Sequence, residues 1–317
     1  MVDDPVVIVG ARRTPIGGFL GALSGHPAPA LGAKVLEAVL RDTAIDPQEI
    51  DEVLMGCVLS AGVGMAPARQ AALAAGVPNS VPCTTINKVC GSAMKAVMLA
   101  HDALMAGSGQ IIIAGGMESM SNAPYLLKRA RRGHRLGHGQ VVDHIFLDGL
   151  EDAYGSGRLM GEFAEQTARE LNISRDAQDD FAIRSLQRAC QAQSDGRFAA
   201  EIICIDGTDG IVDADEQPRT ADPSRIPHLK AVFQVDGTIT AANASSISDG
   251  GVALMLMRKS EAARRNLNAR AVIRAHASFA QQPSRYTTAP VGAVEKLIKM
   301  LSWTLSDVDL FEINEVF

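Results

Sequence analysis

Cys90 stands in Asn87-Lys88-Val89-Cys90-Gly91-Ser92-Ala93-Met94-Lys95, directly after a β-favouring run and at the start of a helix-forming one. That setting suits nucleophilic catalysis. The partial positive charge of a helix N-terminus stabilises a thiolate, and unpaired backbone N–H groups there can receive a developing oxyanion. Gly91 lets a substrate approach the turn closely, as in other strand-to-helix nucleophile elbows. The remaining cysteines, Cys57, Cys83, Cys190 and Cys204, lack this setting and read as buried structural residues, because a free cysteine packs as a small hydrophobe. Five cysteines without a Cys-x-x-Cys pair indicate reduced thiols, so neither a disulfide framework nor a metal site is expected.

A second chemical feature is the cluster Lys128, Arg129, Arg131, Arg132 and Arg135, with His134 and His138 among them, in a chain whose formal charge is -6. Such a cluster can hold a phosphate; a solvated loop or a subunit contact are the alternatives. The whole chain is 317 residues long, 47% apolar and 21% charged, which matches an ordinary globular core and excludes intrinsic disorder. Its length suits about two domains. Thirty basic against thirty-six acidic side chains, with few aromatics, argue against a nucleic-acid partner. The N-terminus lacks the basic and apolar regions of a signal peptide, and no apolar stretch approaches about 18 residues. A cytoplasmic protein without membrane contact is expected.

The elements that must position Cys90 follow from periodicity. Val6 to Gly10 is a continuous apolar run, expected to be a buried parallel strand. Leu31, Val35, Ala38 and Val39 share one face of a helix over about Ala30 to Asp42. Val53 to Leu59 predicts a strand, Ala66 to Ala75 a short helix and Cys83 to Val89 a third strand. A helix from near Gly91 to Ala106 and a strand from Gln110 to Ala114, closed by Gly115-Gly116, complete a series that implies a parallel sheet covered on both faces.

From Ser119 to Ser245 the pattern becomes an excursion with two clear helices, Leu159 to Leu171 and Arg175 to Gln193, the second with Ser174 as its N-cap. Strands then resume at Val252 to Met257 and Ala271 to Ala275, followed by a helix over Val291 to Leu301 and a strand over Asp309 to Ile313. Val272-Ile273-Arg274 and Val308 to Glu312 echo Val7-Ile8-Val9 and Ile50 to Leu54. The echo suggests either a duplicated fold or the chance likeness of two βαβ units.

Together these motifs resemble the thiolase family. The likeness runs through Ala11-Arg12-Arg13-Thr14-Pro15, Pro67-Ala68-Arg69-Gln70-Ala71-Ala72, the Cys90 motif, and Gly115-Gly116-Met117-Glu118-Ser119-Met120-Ser121. It continues in Met160-Gly161 with Ala164-Glu165, in Ala242-Asn243-Ala244-Ser245 and in Asn314-Glu315. The resemblance implies an α/β thiolase fold of duplicated βαβ-containing halves with an inserted loop domain. The expected boundaries are 1-118 plus 246-267 for the first half, 119-245 for the loop domain and 268-317 for the start of the second half.

It also implies an activity: Claisen condensation of two acetyl-CoA to acetoacetyl-CoA and CoA, or the reverse thiolysis, by a homodimer or homotetramer. Cys90 would carry the acyl group. Asn314 would hold a water at the enolate oxygen, and the Cys90 N–H would belong to the other oxyanion hole. Ser245 and Met160 would line the pantetheine channel, and Lys230, near Phe233 in the sequence, is a second candidate beside the basic cluster for binding the CoA phosphates. Leu150, Phe233, Tyr286 and Val316 would shape the reactive end of the pocket, although core packing accounts for such apolar residues about as well. No cofactor is expected beyond the coenzyme A thioesters, which are substrates.

The family's Gly-His-Pro and Cys-x-Gly-Gly-Gly motifs lie downstream of Asn-Glu, whereas this chain ends at Phe317. An incomplete second half is therefore expected, and these residues alone are expected to be inactive in condensation. Gly25-His26-Pro27 lies in an early loop without the motif's surroundings and reads as a decoy. Three alternatives stay open: a degradative 3-ketoacyl-CoA thiolase of broader chain length, a non-catalytic thiolase-like CoA-binding protein, and a nicotinamide oxidoreductase. The last lacks a Gly-x-Gly-x-x-Gly after the first strand.

Overall fold

The computed structural model describes residues 4–155 and 157–317. The chain opens with β1 (Val6–Arg13), β2 (Gly17–Gly18), α1 (Ala28–Thr43), β3 (Glu52–Gly56) and α2 (Pro67–Ala74). β4 (Cys83–Ile86), α3 (Ser92–Ala106) and β5 (Ile111–Ser119) follow, then the short strands β6 (Tyr125–Leu127) and β7 (Val141–Asp143). α4 (Met160–Glu170), α5 (Arg175–Ser194), β8 (Ile205–Gly207), β9 (Gly210–Val212) and α6 (Glu216–Thr220) precede the long β10 (Ser248–Arg258). α7 (Lys259–Arg264), β11 (Ala271–Val272) and α8 (Ala289–Leu301) come last.

Two compact units are present. The first comprises the described residues of Met1–Gly149 with Gly196–Gln217 and Ile247–Ile273; the second comprises Leu150–Asp195, Pro218–Ser246 and Arg274–Phe317.

In the first unit, seven strands form a sheet in the order β11-β1-β10-β5-β3-β4, with β2 beside β10. Only β3 has the expected parallel neighbours, β4 and β5. β1 instead runs antiparallel to both β10 and β11, and β10 runs antiparallel to β5. The expectation of a parallel first strand therefore fails. A parallel pair needs a crossover connection, and β10 re-enters the sheet from a long excursion that imposes no such direction.

Alternation along β5 builds the core. Ile111 and Ile113 pack with Val35, Leu36 and Val39 of α1 and with Ala68, Ala71 and Ala72 of α2 on one face. Ile112 and Ala114 pack with Ala96, Ala100 and Leu104 of α3 on the other. Burial on both faces explains why the run reads as continuously apolar, and each buried isoleucine contributes about 1.5–3 kcal/mol.

Gly115-Gly116 does not close this strand, contrary to expectation; β5 continues to Ser119. The glycines are there for close packing. A Cβ on Gly115 would lie 2.0 Å from the carbonyl oxygen of Val252 on β10, and one on Gly116 would lie 2.7 Å from the Cβ of Ala93 on α3.

In the second unit, Ser174 caps α5 as expected, its hydroxyl accepting from Ala177 N at 3.2 Å. Buried Glu165 of α4 accepts from the backbone N–H groups of Thr238 and Ile239, each at 2.8 Å. Asp179 joins the Arg175 guanidinium at 2.6 Å to the Asn243 amide at 3.2 Å. The expected strand over Asp309 to Ile313 does not form, and β11 is shorter than the expected Ala271 to Ala275. An apolar run becomes a strand only where a neighbour satisfies its backbone groups, and 309–313 has no ladder partner among the described residues. No helix among the described residues is long and apolar enough to cross a membrane.

Candidate functional site

Cys90 lies in the turn that links β4 to α3, and it is exposed. The turn is tied at several points. The Ser92 hydroxyl donates to Val89 O at 2.6 Å and accepts from Lys88 N at 2.8 Å. The Asn87 carbonyl accepts from Val89 N at 2.9 Å. Gly91 N and Ser92 N donate to Lys88 O and Val89 O at 3.1 and 3.0 Å, so these two N–H groups are consumed inside the turn.

The left-handed residue of this elbow is not the glycine. Val89 adopts φ 48°, whereas Gly91 sits at φ -88°. Left-handed backbone is strained for a β-branched side chain, at a cost of about 1–3 kcal/mol, and persists only where the surroundings enforce it. Gly56 is part of those surroundings, since a Cβ there would lie 2.7 Å from both Ala93 N and Ser92 Cβ. Asn87, Ser92 and Gly56 escaped sequence reasoning. Their signals were an Asx-turn former three residues before the cysteine, a serine in the first helical turn and a glycine ending a strand.

The other cysteines divide. Cys57 is 2% exposed, and burial first, then the Glu118 carboxylate, pushes its thiol up to about 12. Burial likewise raises the half-buried Cys83 thiol. Cys190 and Cys204 are exposed, which corrects the reading of both as buried. Polar residues around them in sequence had marked surface segments. Cys190 lies near the end of α5 and its thiol donates to Pro218 O at 3.1 Å, which holds it back from a reagent. Brief iodoacetamide treatment should therefore modify Cys90 first, Cys204 next and Cys190 later. Cys57 should stay protected, with only about 10⁻⁴ of it ionised at pH 8. Peptide mapping reads the order, and early labelling of Cys57 or Cys190 would count against it.

The other substrate-site residues that the resemblance implies fall in the second unit, and the basic cluster falls in the first. The Tyr286 hydroxyl donates to Met160 O at 3.1 Å. Next to Met160, Gly161 lies under the Phe233 ring, which a Cβ would meet at 2.3 Å. Phe233 meets Phe317 edge-on with centroids 6.0 Å apart, and Val316 O accepts from Ser245 N at 2.7 Å. Tyr286, Met160, Phe233, Val316 and Ser245 thus form one connected group. Asn314 joins this group through its backbone carbonyl, which accepts from Val316 N at 3.0 Å, whereas Leu150, at the end of the π-helical turn Phe146–Leu150, and exposed Lys230 are outside this series of contacts. Leu229, beside Lys230, is held through its carbonyl by Arg175 at 2.8 Å.

The basic residues 128–138 belong to the segment joining β6 to β7, all of them exposed, and none of the five cations forms an ion pair among the described residues. His26 contacts Asp206 O at 2.5 Å, a loop role in keeping with its reading as a decoy.

A cysteine elbow at the end of a parallel strand pair, on an α/β sheet covered by helices, defines a class of nucleophilic acyl-transfer enzymes. Comparison with known proteins makes this specific. Residues 6–260 match the family described as Thiolase, N-terminal domain, and residues 267–317 match Thiolase, C-terminal domain. This chain belongs to the thiolase family. Both domains are represented, so the expectation of an incomplete second half is not borne out.

Acetyl-CoA acetyltransferase 2 of Arabidopsis thaliana is 46% identical over 98% of this chain and 79% of its own length. A probable acetyl-CoA acetyltransferase of Escherichia coli is 46% identical over 98% of this chain and 80% of its own. The crystal structure of Acat5 thiolase from Ascaris suum in complex with coenzyme A matches with a TM-score of 0.94 at 36% identity, covering 99% of this chain and 81% of that one.

Proposed function

We propose that this thiolase transfers acetyl groups between coenzyme A thioesters, condensing two acetyl-CoA to acetoacetyl-CoA and CoA or running the reverse thiolysis. The observation that carries this reading is the exposed Cys90 thiol on a strained, fully tied turn at the start of α3. Its thiolate attacks the thioester carbonyl, the bond from carbonyl carbon to CoA sulfur breaks, and CoA leaves as a thiolate that takes a proton. A second acetyl-CoA then loses a C2 proton, and its enolate attacks the acyl-cysteine. The carbon–carbon bond forms as the bond from acyl carbon to Cys90 sulfur breaks, and the released Cys90 thiolate recovers a proton, so that the proton lost from C2 is balanced. The relatives named as acetyl-CoA acetyltransferases and the coenzyme A held by the Ascaris suum thiolase support the choice of substrate.

In this reading the Cys90 N–H faces the acyl oxygen, and Asn314 holds the water at the enolate oxygen. Met160 and Ser245 line the pantetheine path, Lys230 lies near the substrate, and Leu150, Phe233, Tyr286 and Val316 bound the acyl end. No cofactor takes part. The division into 1-118 plus 246-267 for the first half, 119-245 for the loop domain and 268-317 for the second half is part of this proposal. A homodimer or homotetramer is supported by β4, an edge strand whose unpaired backbone groups invite a second chain. The lack of paired cysteines supports a reducing, cytoplasmic location.

The test is to supply acetoacetyl-CoA and CoA, follow loss of the enolate absorbance, and map the acetylated peptide. Acetyl on Cys90 is the expected result. Turnover with acetyl on another residue, or none with either substrate, would overturn the reading.

The unpaired cations between β6 and β7 extend it to the nucleotide end of CoA. Replacing Arg131 and Arg132 with alanine should weaken CoA binding while dephospho-CoA binding changes little, and salt should weaken the former because exposed charges are screened over about 8 to 10 Å. Calorimetric titration of both ligands checks this. Equal losses would move the cluster to a subunit contact or a structural role.

A further inference from the structure

Glu118 takes no part in the chemistry described above, although it sits within one of the family-like motifs. It lies near the end of β5, and its carboxylate is directed at the turn that follows β3. Oε2 accepts from Val58 N at 2.8 Å and Oε1 accepts from Leu59 N at 3.1 Å, while the Cys57 thiol approaches Oε1 at 3.8 Å. Two backbone donors on one carboxylate are charge-assisted hydrogen bonds that fix the path of a short segment.

That segment reaches the elbow from two sides. Cys57 N donates to Ile86 O, the last residue of β4, at 3.0 Å. Val58 O accepts from the Asn87 side-chain amide at 3.3 Å, and the same side chain accepts from Val89 N at 2.9 Å. Val89 is the left-handed residue immediately before Cys90. The 60-residue separation between Val58 and Glu118 is thus closed by one carboxylate, three hydrogen bonds from the residue that precedes the nucleophile.

We propose that Glu118 is a positioning residue for Cys90, acting through the 57–59 turn and Asn87 to hold Val89 in the left-handed conformation that aims the thiol. This rests on Cys90 being the nucleophile. Releasing the carboxylate frees the 57–59 turn, removes the anchor of Asn87, and lets Val89 relax toward ordinary backbone, so the thiol moves while none of the residues proposed to bind the substrate is altered. The loss should therefore fall on kcat rather than on KM.

The experiment compares Glu118→Gln, which keeps size and one acceptor, with Asn87→Ala and with the double variant, measuring thiolysis, the rate of Cys90 alkylation and thermal stability. Each single change should lower kcat between about 10-fold and 10²-fold, with KM within about twofold, and should slow alkylation alongside. The double variant should be no worse than the more affected single, because both break one chain of contacts. Wild-type kcat and alkylation in folded single variants would overturn the proposal, as would effects that multiply independently. Should Glu118→Gln fail to fold, Asn87→Ala decides alone, since Asn87 is exposed and makes the same link. Cys90→Ser separates the two ideas. Thiolysis that survives it overturns the nucleophile assignment, whereas an inactive Cys90→Ser beside fully active Glu118→Gln and Asn87→Ala overturns the positioning role alone.

Discussion

Replacing Cys90 with serine is expected to lower thiolysis of acetoacetyl-CoA by about 10³ or more and to remove the acetylated peptide, with the fold unchanged. A hydroxyl is a far poorer nucleophile than a thiol near neutral pH, because so little of it ionises. Cys90 is exposed, so the substitution leaves no cavity. Cys204→Ser, at the other exposed cysteine outside a helix, should retain full activity and serves as the control. Initial rates with both substrates saturating make the comparison. A Cys90→Ser protein within tenfold of the wild type would place the covalent step elsewhere.

The second large effect is on stability. Gly115→Ala should destabilise the protein by about 3 kcal/mol or more, at the upper end of what overpacking costs. The added methyl would sit 2.0 Å from Val252 O and 2.9 Å from Val252 C, both backbone atoms of the adjoining strand. No rotamer can relieve a clash with backbone. β10 cannot yield easily either, because β1 pairs with its far side over Val252 to Arg258, the stretch that contains the clash. Gly76→Ala is the informative contrast: nothing lies within 4 Å of the new methyl, and only the φ of 83° opposes it. Its cost should stay near about 1 kcal/mol, the left-handed penalty alone. Urea unfolding of the three proteins measures both. A loss below about 1 kcal/mol for Gly115→Ala would show that the two central strands can separate without breaking the sheet.

The contrast between these glycines shows what a sequence can and cannot express. Both Gly76 and Gly115 look like punctuation, and Gly76 is indeed a turn at positive φ. Gly115 is mid-strand, and the reason is an atom of residue 252, which no local window contains. The helices were legible to within two residues or so: α1, α3, α4, α5 and α8 begin and end close to where their apolar spacing and caps place them. Helical hydrogen bonds are local, so local residues decide them.

Strand direction was not legible. The apolar run of β1 marks a strand buried on both faces, a property shared by parallel and antiparallel neighbours in a covered sheet, and only pairing with β10 and β11 chose between them. The run at 309–313 has comparable composition and no ladder, since backbone pairing is a property of two segments and not of one.

For the site, the sequence alone determined that Cys90 follows a strand and opens a helix, and its motifs pointed to the family. Tertiary structure decided that Cys190 and Cys204 are exposed while Cys57 is buried, that Val89 rather than Gly91 takes the left-handed turn, and that Phe233 lies on Gly161. It alone brought Glu118 to the 57–59 turn and Ser245 to Val316, through hydrogen bonds between residues distant in the chain. Local chemistry chooses which elements form and where a reactive side chain stands on them. Which groups surround that side chain depends on long-range packing, because burial and hydrogen-bond satisfaction are settled only when distant segments close on one another.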